Sequence, residues 1–439
     1  MGSVWIATAN ADPFPALERD RNVDVLIIGG GMAGVLTAYL LENAGVDSVL
    51  CEAETIGDGT TKNTTAKITS QHRLVYDKLI REFGEEKAGL YLRANEEAID
   101  AYRRLCETID CGFETKDHTV YSLDDPKKID REMRALKRLG FPAKRVFSPD
   151  LPFDVAGAIR FSDQAQFHPL KFLFGIAKGL RIFEHTRVRE LKRTKEGITA
   201  VTSGGAVHAK RVIVAAHFPF LNKHGAYFLK QHQSRSYVIA LENGPQLDGM
   251  YLDDDETGLS FRNYEGYLLI GGGGHRTGKK GGGYAELKDV AELYFGRVTV
   301  PYAWAAQDCM TLDAVPYVGR YSKGTEGLYV ATGFNKWGMT GSMAAARLLR
   351  DLITGTKNPY EELFSPSRTM LRPALFSNLF EAAIGLLTPT APRCPHLGCA
   401  LRRNEEEHSW DCPCHGSRFA ADGSLIDNPA TGDLKKVPR

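Results

Sequence analysis

The chain has 439 residues, 43% hydrophobic and 25% charged, with a formal net charge of +1. That length and balance describe a globular protein of two or three domains and exclude a disordered one, while near-neutrality without a basic, aromatic-interleaved stripe excludes nucleic acid as a partner. No run reaches the eighteen apolar residues of a membrane span, and Cys51, Cys106, Cys111 and Cys309, scattered without framework spacing, read as reduced thiols of a cytoplasmic protein.

Residues 1–22, with Pro13 and Pro15, lack the charged and apolar regions of a signal peptide and read as a tail. Val23–Ile28 is a buried-strand run, followed by Gly29-Gly-Gly31-Met-Ala-Gly34, an amphipathic helix through Asn43 and a second strand closing on Glu52. This order is a dinucleotide fold. Gly29 permits the turn, Gly31 lets a pyrophosphate approach, Gly34 allows close helix packing, and Glu52 meets the ribose. The motif does not separate NAD from FAD. Segments 85–111 and 126–139 read as amphipathic helices with one solvated face. Gly273–Lys280 nearly spells a phosphate-binding loop, but Lys280 replaces the Ser/Thr and Gly281–Gly283 is a poor helix start. A flexible loop able to cover substrate is the expectation there. The stretch Leu371–Leu387 carries leucines at helical spacing and lacks a Lys/Arg-rich polar face, so a core-facing linker helix is expected over membrane contact.

The C-terminal region holds Cys394-Pro-His396, fifteen residues, then Cys412-Pro-Cys-His415. Each arm carries one Cys and one His, as a Rieske [2Fe–2S] centre requires when two imidazoles replace thiolates on one iron; zinc sites usually keep Cys and His pairs separate. Cys394–Cys399 and Cys412–Ser417 closely resemble the two cluster loops of the Rieske proteins. The resemblance implies a Cys399–Cys414 disulfide and a Ser417 hydroxyl bonded to a cluster sulfur. Phe419 stands where high-potential members usually carry tyrosine, which implies a lower potential. Only about two dozen residues separate Pro366 from Cys394, too few for the base of a complete Rieske fold, so the cluster subdomain is expected to pack directly on its neighbour.

Residues 23–365 resemble the D-amino-acid-oxidase-like family of FAD enzymes, which includes glycine, sarcosine and γ-glutamylputrescine oxidases. The resemblance rests on Gly57–Thr69, Arg211–Ala216, Tyr267–Gly272 and Gly327–Phe334. With the C-terminal module, the chain looks like the bacterial FAD-dependent oxidoreductases fused to a Rieske domain. The implied fold is α/β and α+β: a Rossmann-like FAD-binding domain (about 23–105, 155–220 and 320–365) interleaved with a mixed-sheet substrate domain (about 106–154 and 221–319), a helical linker over 366–390 and a truncated Rieske subdomain over 391–439. FAD would be held by Gly29, Gly31, Met32, Ala33, Gly34, Glu52, Ala53, Thr60, Thr61, Thr65, Ala66, Ala216, Gly333, Phe334, Trp337, Gly338, Met339 and Thr340. Cys394, His396, Cys412 and His415 would ligate the cluster.

The same resemblance places Lys67 and His72 beside the flavin for proton transfer and Arg262 where relatives clamp a substrate carboxylate. At the second such position the chain reads Gln307-Asp308-Cys309, and Asp308 favours a cationic amine. The expected activity is dehydrogenation of an amine or amino acid C–N bond, with electrons leaving through the cluster to an external acceptor, a ferredoxin-like protein or quinone. The alternatives are an oxygen-using amine oxidase whose cluster is a sensor or staple, and an electron-transfer flavoprotein partner. A Rieske oxygenase is excluded by the lack of an Asp-x₂-His-x₃₋₄-His arrangement, and a pyridine-nucleotide reductase by the lack of a second dinucleotide fingerprint.

Overall fold

The computed structural model describes residues 2–221, 224–389 and 392–435; the expected boundary at 390/391 and the last four residues lie outside them. The apolar run forms the strand Arg21–Ile28, flanked by parallel strands Ser48–Cys51 and Ala206–Val214, with Leu328–Thr332 beyond, in an eight-stranded sheet. Its last residues are buried on both faces, as a central parallel strand demands. The helix Met32–Asn43 starts directly after the glycine turn. A Cβ on Gly34 would fall 1.9 Å from the Gly29 carbonyl oxygen, so only glycine allows the helix this close to the strand.

A nine-stranded sheet forms the second layer, with the strands Tyr302–Thr311, Gln231–Glu242, Tyr267–Arg276 and Ser260–Tyr264 in that spatial order from one edge. It also takes in Lys67–Ile68 and Gly157–Gln166, from stretches the sequence assigns to the nucleotide domain. Side chains alternate across the sheet. On the edge strand Trp304 packs into the main core with Val238 and Ala240, so Asp308 and Met310 share that inner face. Ala305 packs outward with Ile239 and with Leu287 and Ala291 of the helix Tyr284–Phe295, so Gln307 faces the outer side.

The amino-terminal residues differ from a free tail. Val4 and Trp5 are fully buried in a short helix, Val4–Ala7, and Leu17 N donates to Thr186 Oγ1 at 2.9 Å. Trp5 enters the seam between the two layers, where its ring lies edge-on to Tyr264 and His168 at centroid distances of 4.6 and 5.0 Å.

The cysteine-bearing module is four short antiparallel strands around Cys394, Cys399, Leu401, Cys412, Cys414 and Phe419. Two expectations are corrected here. The glycine run 271–274 is strand, and the turn after it seats the module: Gly278 (φ +75°) lies so close that a Cβ would stand 2.7 Å from Pro413 N. It is a docking seat and not a substrate cover. The linker helix Pro373–Leu387 buries only Leu375, Asn378 and Gly385, leaving most of its large apolar side chains exposed. Its leucine stripe therefore does not face a core.

Candidate redox site

The dinucleotide groove is built at the ends of the parallel strands. Gly29 and Gly31 form the turn, and Met32, Ala33 and Gly34 the first helical turn, whose N–H dipoles favour a phosphate. Thr61 Oγ1 accepts from Met32 N at 3.1 Å. Glu52, next to Ala53 beyond the second strand, accepts from Gly30 N at 2.5 Å and Glu54 N at 2.9 Å. Burial pushes its carboxyl above the usual range against those hydrogen bonds. Glycines that admit a close backbone, a helix start and a terminal acid together fit the dinucleotide half of FAD.

The Thr/Gly-rich loop that follows is pinned along the seam between the layers. Thr60 Oγ1 donates to Gln307 O (3.1 Å), Trp304 Nε1 to Asn63 O (3.0 Å) and Trp5 Nε1 to Thr64 O (2.7 Å). Arg262 Nη1 donates to Thr65 O (2.7 Å) and Ala66 O (2.9 Å) beneath the Trp5 ring, 5.4 Å away. Only 1% exposed, Arg262 holds this loop and is no carboxylate clamp. The desolvation that follows lowers its pKa to about 9. At the far end Gly333, Phe334 and the left-handed pair Asn335 and Lys336 lead into the helix Gly338–Thr354. Asn335 Oδ1 accepts from Thr311 N at 2.7 Å, tying that turn to the edge strand, and Tyr102 donates to Met339 O at 2.9 Å.

His72 stacks on Trp337 at 4.6 Å, with one ring nitrogen 2.6 Å from Tyr91 OH and the other 2.8 Å from Thr69 O and 3.1 Å from Thr340 Oγ1. Burial lowers its pKa to about 3, so it is neutral and fully bonded. Lys67 Nζ donates to Tyr251 O (2.7 Å) and Ser260 Oγ (2.6 Å), and burial, then Arg262, hold it well below the usual lysine range. Asp308 lies on the inner face, its carboxyl raised by burial against the charges of Lys336, His217 and Arg235. A cavity of about 450 Å³ opens beside these groups, lined by His72, Arg73, Met310, Asn335, Lys336 and Trp337 among others. Lys67 and Asp308 do not line it. Lys336, a residue no sequence pattern marked, does.

In the C-terminal module the sulfurs of Cys399, Cys412 and Cys414 lie within 4.8 Å of one another, and Cys394 stands beside Cys412 in hydrogen-bond contact with Ser417. Cys399 and Cys414 are adjacent free thiols. The rings of His396 and His415 stand 5.0 Å apart and perpendicular. Burial keeps both imidazoles neutral, with pKa values of about 3 and about 4. Among the described residues, His415 Nδ1 is buried without a hydrogen-bond partner, while its other nitrogen donates to the Phe228 carbonyl. A buried, partnerless nitrogen with its tautomer fixed from behind is what a metal-binding imidazole needs, so this donor set fits a [2Fe–2S] cluster.

The module is fastened through its second cysteine loop to the outer face of the nine-stranded sheet. Arg276 donates to Pro413 O and Cys414 O, both at 2.8 Å. Gln233 Nε2 donates to His415 O (2.9 Å) and Asn428 O (2.8 Å), and Gln307 Nε2 to Gly416 O (2.9 Å). Asn428 Nδ2 reaches Ala216 O at 2.7 Å, and Arg235 pairs with Glu407. His415 thus points toward the nucleotide-binding layers, between the rings of Phe218 and Phe228, while His396 is partly exposed. Gln233 and Gln307 are singled out by no motif; only the family's arginine position hinted at the second.

Comparisons with known proteins agree with this geometry. The family model described as FAD dependent oxidoreductase matches residues 24–352, and that of the Rieske [2Fe-2S] domain matches 379–438. The chain is 35% identical to YhfW of Bacillus subtilis (strain 168), a protein named for Rieske 2Fe-2S iron-sulfur, across 99% of this chain and 97% of that one. It is 24% identical to γ-glutamylputrescine oxidoreductase of Escherichia coli (strain K12), over 82% and 90% of the two chains. The crystal structure of glycine oxidase from Geobacillus kaustophilus superimposes with a TM-score of 0.69 at 19% identity, covering 80% of this chain and all of that one.

Proposed function

Because the chain belongs to the FAD dependent oxidoreductase family and carries a Rieske [2Fe-2S] domain, we propose that it is a dehydrogenase of an amine or amino acid that sends electrons from FAD through the cluster to an external acceptor. FAD supplies the two-electron acceptor for the C–N bond and the cluster a one-electron carrier. The substrate carbon loses a hydride and its nitrogen a proton; the imine then takes up water to give a carbonyl compound and free amine. Two electrons leave singly.

The chain's own residues bind, orient and exclude water. Lys336 on the cavity wall, with Asp308 nearby on the inner face, offers a hydrogen-bonding partner for a substrate's acid, while burial moves both toward their neutral forms. Lys67, bonded to Tyr251 O and Ser260 Oγ and off the cavity wall, ties the flavin loop to the neighbouring strands and does not itself meet substrate. His72, bonded at both nitrogens, orients Trp337 and Thr340. The observation that carries the reading is the seating of the second cluster loop on the sheet whose edge strand also holds the flavin loop, through Gln307. A cluster remote from the flavin groove would have supported the sensor reading instead.

The test is anaerobic reduction of the purified protein by a panel of amines and amino acids, following flavin absorbance and the Rieske EPR signal together. Bleaching followed by the EPR signal is expected. Bleaching with a permanently oxidised cluster refutes the relay and leaves an oxidase.

A further inference from the structure

The linker helix Pro373–Leu387 is amphipathic with its polar side turned inward. Asn378 accepts from Arg276 at 2.9 Å and donates to Leu229 O at 3.3 Å, Glu381 pairs with Lys279 at 2.6 Å, and Gly385 lies against Cys399 and Cys414. The outward side carries Phe376 (68% exposed), Phe380 (66%) and Leu387 (83%), with Leu379 and Leu386 also exposed. In the first cluster loop, exposed Leu397 precedes Gly398, which lies against Leu386. A contiguous apolar stripe held in water by a polar inner side marks an interaction surface.

We propose that this face is an interfacial anchor that seats the protein on an anionic lipid surface. Three observations favour lipid. The only acid on the helix, Glu381, is neutralised by Lys279, so the outward side carries no negative charge. Exposed Arg393, whose guanidinium donates to Leu386 O, Thr388 O and Gly398 O, puts positive charge at the Leu386–Leu387 end, and exposed Arg402 adds a second cation near it in a recess shared with Glu381, Ile384 and Thr388. That pairing of an apolar face with nearby cations suits anionic headgroups. The stripe is also one helix side about 22 Å long and about 10 Å wide, roughly 220 Å², short of the roughly 800 Å² per partner that a stable protein dimer buries. Among the described residues no helix is long and apolar enough to cross a membrane, so the contact is with the surface. This assignment stands whether or not the proposed reaction does.

The test is co-sedimentation of the full-length protein, with both cofactors bound, with phosphatidylcholine vesicles prepared with and without phosphatidylglycerol. Capture by the phosphatidylglycerol vesicles is expected, weakened by salt and by Arg402→Glu. The Phe376→Ser, Phe380→Ser, Leu387→Ser triple variant should lose affinity by about tenfold or more, with flavin absorbance and cluster EPR unchanged. Should the triple variant fold poorly, Phe380→Ser alone must still weaken binding. Wild-type protein that stays in the supernatant at every lipid concentration overturns the assignment, as does a folded variant captured equally well. A concentration-dependent dimer in sedimentation velocity, abolished by the triple variant while vesicles capture neither protein, gives the face to a second copy and likewise overturns it.

Discussion

The carboxamide of Gln307 donates to the carbonyl of Gly416 at 2.9 Å, while the main-chain carbonyl of Gln307 accepts from Thr60 at 3.1 Å. One residue of an edge strand therefore touches the loops of both cofactors. Gln307→Ala leaves the Gly416 carbonyl and the Thr277 hydroxyl without this partner and is expected to weaken docking by about 1–3 kcal/mol. With the flavin photoreduced in the absence of substrate, cluster reduction followed by EPR should be slower than wild type, with full cofactor content. An unchanged rate would show that the bridge does not set the approach of the two groups.

Trp5 closes the seam over Arg262. Trp5→Ala removes a fully buried indole and the donor to Thr64 O, and should cost about 3–5 kcal/mol. Because both Trp5 and Arg262 hold the flavin loop, flavin fluorescence should appear at a lower temperature in a melt. Release at the wild-type temperature would mean that the loop holds itself.

Phe419 is buried among the cluster cysteines and offers them no hydroxyl. The midpoint potential is expected below that of respiratory-type Rieske centres. Phe419→Tyr should raise it by about 40 mV, the equivalent of roughly 1 kcal/mol favouring the reduced state. Protein-film voltammetry of both forms decides the matter, and a wild-type midpoint at the top of the Rieske range would contradict it.

Burying neutral histidines should make the fold sensitive to acid. His72, His168 and His232 are each lowered to about 3, chiefly by burial, so the folded chain keeps them neutral while the unfolded chain protonates them near 6.5. The unfolded state binds more protons between those values, and stability present above pH 6.5 falls as pH drops toward 3. Urea titrations at pH 7 and pH 5 should show the loss. His72→Gln should reduce the slope by about 1.4 kcal/mol per pH unit.

The candidate cluster residues stand out in the sequence because each pair sits within four residues, and the dinucleotide turn because strand, glycines, helix and acid follow in order. Local spacing encodes both. That the module docks was expected from the short linker, but where it docks was not legible, because Gln233 meets His415 and Arg276 meets Pro413 across more than a hundred residues. The same gap explains the glycine run: glycines that admit another backbone look in sequence like glycines that free a loop. Arg262 stands at the family position, yet its role was decided by Trp5, a residue the expectation of a tail had set aside. For the linker helix the periodicity gives a stripe but not which side finds a partner.

Gln233, Arg276 and Gln307 clamp the second cluster loop by its main-chain carbonyls, so its seat tolerates changes of side chain but not of position. A carrier held in this way has no swing to complete between receiving and passing on an electron. The interval between flavin and cluster reduction should accordingly be indifferent to glycerol or sucrose in the buffer, and any drag imposed by solvent viscosity will fall on the arrival of substrate and the visit of the acceptor.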